Sequence, residues 1–151
     1  MRSKAPLMLM EQMVMLLVFA LAAALCLRAF FKADEISKQS EVRDHAVMLC
    51  QNVAETIKDS AETNNQLVLS AVASRLDADA RDADMGFTLL YNAAWTRAET
   101  PAETAYSLDV VRLNSEVPGL GTARVTVTDS ENGAEPLFSV DVSWQEVSAY
   151  A

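Results

Sequence analysis

Between Met13 and Leu27 the chain reads MVMLLVFALAAALCL, fifteen residues without a charge or an amide. A helix needs about 20 apolar residues to cross a bilayer, so the flanks of this run decide what it is. Pro6 to Met10 and Ala29 to Phe31 are also apolar. The 25 residues from Leu7 to Phe31 are therefore interrupted only by Glu11, Gln12 and Arg28. With those polar groups toward its two ends, the stretch is long enough to span. Arg2 and Lys4 ahead of it favour a cytoplasmic N-terminus, which places the bulk of the chain outside. A cleaved secretory signal competes with this reading. Arg2 and Lys4 would form its basic region, and Ala22 to Ala24 offers small residues for a signal peptidase that would leave a chain starting at Leu25. Against it, Glu11 and Gln12 fall where the basic region should hand over to an apolar core. A lipoprotein signal fits less well, because Leu25 precedes Cys26 where a small residue is needed.

The rest of the chain has a different balance. From Ala33 onward there are eight Lys or Arg against twenty Asp or Glu, and the whole chain carries a net charge of −9. Such acidity excludes nucleic acid and anionic membrane surfaces as partners of this part. With 151 residues there is room for one core and an appendage. No Pro or Gly lies between Arg28 and Ile57, and Val42, Ala46, Leu49, Val53 and Ile57 recur at spacings of three and four. One helical face is thus expected to be buried, on a helix continuous with the apolar run and roughly 50 residues long. DSAETNN, Asp59 to Asn65, should end it. Thr63 and Gln66 then stand at capping-box spacing ahead of a short second helix reaching about Leu76. Beyond Gly86 the period falls to two, and strands are expected at Phe87 to Tyr91, Tyr106 to Leu113, Ala123 to Thr128 and Leu137 to Gln145. In the last, Phe138, Val140, Val142 and Trp144 share one face and Ser139, Asp141, Ser143 and Gln145 the other. The short turn-rich separators VPGLG and DSENGAE predict an antiparallel meander whose apolar face must be covered by the helix. The expected fold class is α+β.

Few residues carry chemistry. Cys26 and Cys50 on one helix would stand roughly 36 Å apart, beyond disulfide reach. His45, the single histidine, has no Cys or His at ligand spacing and reads as a surface helical residue. DADARDADMG resembles a calcium loop, but a register starting at Asp77 meets Arg81, Asp82 and Thr88 at positions that require other residues, so a solvated acidic loop is expected. Neither a nucleophile motif nor a Gly-rich phosphate loop is present, and no metal, cofactor or catalytic role is expected.

A short basic leader, a glutamate early in an apolar helix, a long uninterrupted helix and a C-terminal antiparallel sheet together resemble type IV pilins and type II secretion pseudopilins. LLYNAAW and HAVMLCQNVAETIK also look like minor pilin-type proteins of Gram-positive bacteria. The resemblance implies a leader of residues 1–6 removed by a prepilin peptidase between Pro6 and Leu7. It implies a membrane half of the helix over 7–31 and an extracytoplasmic domain over 32–151. Pro6 stands where relatives carry Gly or Ala, and Leu7 where Phe is usual. The implied function is that of a structural subunit, a minor one, of a pilus or pseudopilus. Its partners would be other pilin subunits, inner-membrane assembly machinery and the lipid bilayer. Glu11, roughly 6 Å into the span, would be the assembly residue, pairing with the N-terminal amine of a neighbour. Read without the resemblance, Glu11 and Gln12 mark the cytoplasmic boundary of a shorter span. The chain would then be a single-pass envelope scaffold or, with the signal peptide removed, an exported binding domain.

Overall fold

The computed structural model describes residues 5–63, 67–81, 84–130 and 135–146. Helix α1, Ala5–Thr63, is a single helix of 59 residues. Its only Pro is Pro6, in the first turn where a missing N–H costs nothing, and it contains no Gly. The chain divides into two compact units, residues 1–41 and 42–151. In the first, every described side chain from Met8 to Glu41 is exposed.

In the second unit the remainder of α1 packs on a sheet. Ala46, Cys50, Val53 and Ile57 are fully or almost fully buried, with Ser60 continuing the same stripe. The expected stripe is corrected at two points. Val42 and Leu49 are only half-buried, and Cys50 holds the central position, where its Sγ faces the Val125 carbonyl oxygen at 4.0 Å. Helix α2, Val68–Arg75, buries Val68, Leu69, Val72 and Ala73 in the same core. The capping box expected of Thr63 and Gln66 does not start it. Thr63 remains in α1 with its hydroxyl donating to the Asp59 carbonyl, α2 begins after Leu67, and Gln66 lies outside the described residues.

Strands β1 (Asp79–Ala80), β2 (Gly86–Tyr91), β3 (Tyr106–Leu113), β4 (Leu120–Asp129) and β5 (Pro136–Gln145) form one antiparallel meander in chain order. Four are long, and the two-residue β1 was not expected. Phe87, Leu89, Leu108, Val110, Ala123, Val125, Val127, Val142 and Trp144 point into the core from alternate positions, with Phe138 and Val140 packed at its margin. The opposite face is a polar ladder. Thr126 meets Ser139, Arg124 makes a two-point ion pair with Asp141, and Ser107 and Thr128 share a hydrogen bond of 2.7 Å. This alternation is why each strand buries one face and why the helical stripe is needed to cover it.

Strand β4 starts three residues earlier than its hydrophobic pattern suggests. The cause is Gly121, which lies opposite Trp144, where an added Cβ would come within 2.3 Å of the indole ring. Glycine at this position lets the indole lie across β4, and the turn before it is made by Gly119 at φ +78°. Of the second separator, DSENGAE, residues 131–134 lie outside the described residues.

Candidate functional site

The apolar first half of α1 is the one helix, among the described residues, long and apolar enough to cross a membrane, and none of its apolar window is buried. Pro6 and Leu7 lie in its first helical turns, so the bond between them is part of the helix, one turn before Glu11.

Glu11 is exposed, and nothing three or four residues away can neutralise it: Met8, Val14 and Met15 are apolar, as is Leu7 in sequence. Arg28 is in the same position, with Ala24, Leu25, Phe31 and Lys32 at helical spacing and no acid among them. Farther along, two ion pairs form in the same unit. Lys32 Nζ donates to Glu35 at 2.9 Å, and Lys38 lies 2.8 Å from Asp34, whose carboxylate holds the Lys38 ammonium above its ordinary range through a hydrogen bond and charge attraction. Glu11 and Arg28 thus stand apart. They are the two charges set in the apolar run, and no described residue forms an ion pair or hydrogen bond with either.

Two polar arrangements in the second unit were missed by sequence reasoning. Asp84, expected in a solvated loop, is 4% exposed. Its Oδ1 accepts from the Ser70 N–H at 2.7 Å, and its Oδ2 from Arg112 Nη1 at 2.6 Å. Ser70 is in the first turn of α2, so Asp84 satisfies an orphan donor from a distant loop, as a local cap would. Arg112 also donates to Glu146 and lies over the Trp144 ring, 5.7 Å from its centroid. Every charged group in this cluster is used internally, which gives it a structural role. Among the described residues no three His, Cys, Asp or Glu side chains converge as a metal site.

The second arrangement corrects the reading of His45. Its ring is half-buried and stacks on Trp95 at 5.2 Å, and Trp95 in turn stacks on Tyr106 at 3.9 Å. Trp95 adopts a left-handed backbone, φ +60°, in a turn where Asn92 Oδ1 accepts from the Ala94 and Thr96 N–H groups. The indole stacks on rings of the chain's own helix and sheet, so the stack fastens α1 to the sheet. No local signal in YNAAWTR links Trp95 to a histidine 50 positions away.

The architecture is pilin-like: a long apolar N-terminal helix whose continuation packs on an antiparallel sheet of four long strands and the short β1. No protein-family model, no curated protein and no solved structure matches this chain.

Proposed function

We propose that this chain is a single-pass, pilin-like structural subunit, a minor one, of a type IV pilus or type II secretion-like pseudopilus. Its N-terminus is cytoplasmic and its α+β domain lies outside. The observation that supports this reading best is Glu11, a carboxylate in an exposed apolar helical run with no partner among the described residues. Ionisable residues in such segments are costly and mark function. Assembly with other subunits covers the apolar helix and supplies a cation for Glu11. Partners of the fibre-forming step are inner-membrane assembly machinery and, for a cut between Pro6 and Leu7, a prepilin peptidase. The role is structural, without catalysis.

The test compares membrane-fraction amount with sheared-filament amount. Glu11→Leu should stay in the membrane at least as well as wild type, because removing a charge from a span is worth about 2.5 to 3.5 kcal/mol on insertion scales, while filament yield falls. Glu11→Gln keeps a hydrogen-bonding group without the charge and should fail as well. If both variants assemble like wild type, the carboxylate has no assembly role and only the pilin-like fold supports the reading; a wild-type chain absent from sheared filaments would favour the anchored scaffold instead. The N-terminal residue of the mature chain separates the remaining alternatives: Leu7 or Pro6 for a processed pilin, Met1 for an anchor, Leu25 for an exported domain.

A further inference from the structure

Glu11 and Arg28 are opposite charges on one apolar helix, 17 residues apart, and neither has a helical neighbour that could neutralise it. We infer that they are each other's partners between copies of this chain, Glu11 of one subunit pairing with Arg28 of the next. This rests on the filament reading above and names the cation that reading requires. Three observations favour Arg28. It is the basic residue inside the apolar run, whereas Lys32 and Lys38 are already engaged by Glu35 and Asp34. The complementary charges sit near opposite ends of the run, so pairing them demands an axial stagger between parallel copies. And at 1.5 Å per residue that stagger is about 25 Å, close to the thickness of a hydrocarbon core.

The stagger gives the contact a direction. Two copies side by side at the same depth in a membrane hold Glu11 and Arg28 at different levels, and no pair forms. A copy displaced outward by about 25 Å brings its Glu11 level with Arg28 of the copy still embedded. Each subunit thereby offers one charge to the copy ahead and the other to the copy behind, a heterologous contact that propagates without closing. Seventeen residues at 100° per residue leave the two charges about 100° apart around the helix, so successive copies wind about an axis. Because the cation is a side chain, the pair forms whether or not the bond between Pro6 and Leu7 is cut.

Charge exchange in the full-length chain tests this. Glu11→Arg and Arg28→Glu should each lower sheared-filament yield roughly tenfold or more at unchanged membrane level, given the cost of an unpaired charge in hydrocarbon. The double exchange should restore most of it, and it keeps the topology, since it adds a positive charge on the cytoplasmic side. Register is read separately, by oxidising membranes and filaments of a Cys26→Ser chain carrying Met8→Cys and Leu25→Cys. Those positions lie three residues before Glu11 and Arg28, so a staggered array gives a ladder of disulfide-linked multimers, and chains with one of the two cysteines give none. Arg28→Leu assembling like wild type while Glu11→Leu fails would overturn the pairing and leave the filament reading standing. No rescue by the double exchange, or dimers from the single-cysteine chains, would also overturn it. Normal assembly of both Leu variants would overturn the pairing, and absence of the wild-type chain from sheared filaments would remove the pairing and the filament reading together.

Discussion

At position 50 a thiol occupies the centre of the helix–sheet contact, fully buried and facing the Val125 carbonyl. Burial pushes the Cys50 thiol up from 9.0 to about 11, because an anion there would lose its water. The folded state holds the proton more tightly than the unfolded chain. The corresponding stability is therefore whole below pH 9 and is lost as pH rises through 11, amounting to about 2 to 3 kcal/mol. Cys50→Ala should lower the melting temperature at pH 8 by leaving a small void, yet its curve should converge on that of wild type between pH 9 and 11. Burial also raises the Tyr91 hydroxyl, against the pull of Arg97, but both proteins keep Tyr91 and its effect cancels in the comparison. Parallel curves across that window would mean that the thiol is not sequestered.

Helix α2 depends on a residue outside itself. It has eight residues, no side-chain cap at Leu67 and no acidic residue in its first turn, and so short a segment is marginal without tertiary support. Asp84 supplies the missing acceptor and is itself held by Arg112. Asp84→Ala should cost about 2 to 4 kcal/mol, the sum of a lost cap and a lost charge-assisted hydrogen bond partly offset because Arg112 retains Glu146. Asp84→Asn should cost less, since one acceptor oxygen remains for Ser70. Urea melts give the two values, and hydrogen exchange at Val72 and Ala73 shows whether the loss is local to α2. Equal stability of all three proteins would mean that the helix is held by its buried face alone.

For the whole molecule, every buried apolar side chain among the described residues lies at or beyond Ala46. The core of the second unit is closed without residues 1–41, so a fragment starting at Lys32 should be soluble and should melt cooperatively. Within it Trp144 is 5% exposed and is pressed against Gly121 and Arg112. Trp144→Ala should lower the stability of the fragment by about 3 to 5 kcal/mol. An unchanged midpoint would show that the inner face of β5 contributes nothing to the core. Among its described residues the first unit has no such core, and its apolar side chains are exposed.

Periodicity carried most of the architecture. The absence of Pro and Gly after Pro6 wrote the long helix, and the change from spacings of three and four to strict alternation after Gly86 marked where the sheet begins. Glu11 and Arg28 were legible for the same reason: whether a charge in a helix has a neighbour three or four residues away is a local property, visible before any folding. What stayed hidden depends on pairs far apart in the chain. Cys50 was passed over because a thiol in a helix reads alike whether it faces water or a strand carbonyl 75 residues later. Asp84 read as solvated because its partners, Ser70 and Arg112, are brought to it by α2 and β3, and His45 read as exposed because the ring that covers it comes from a left-handed turn near the sheet. Backbone hydrogen bonding and burial periodicity act over a few residues and are written locally. Which polar or aromatic groups satisfy one another inside the core is decided only when the sheet closes on the helix.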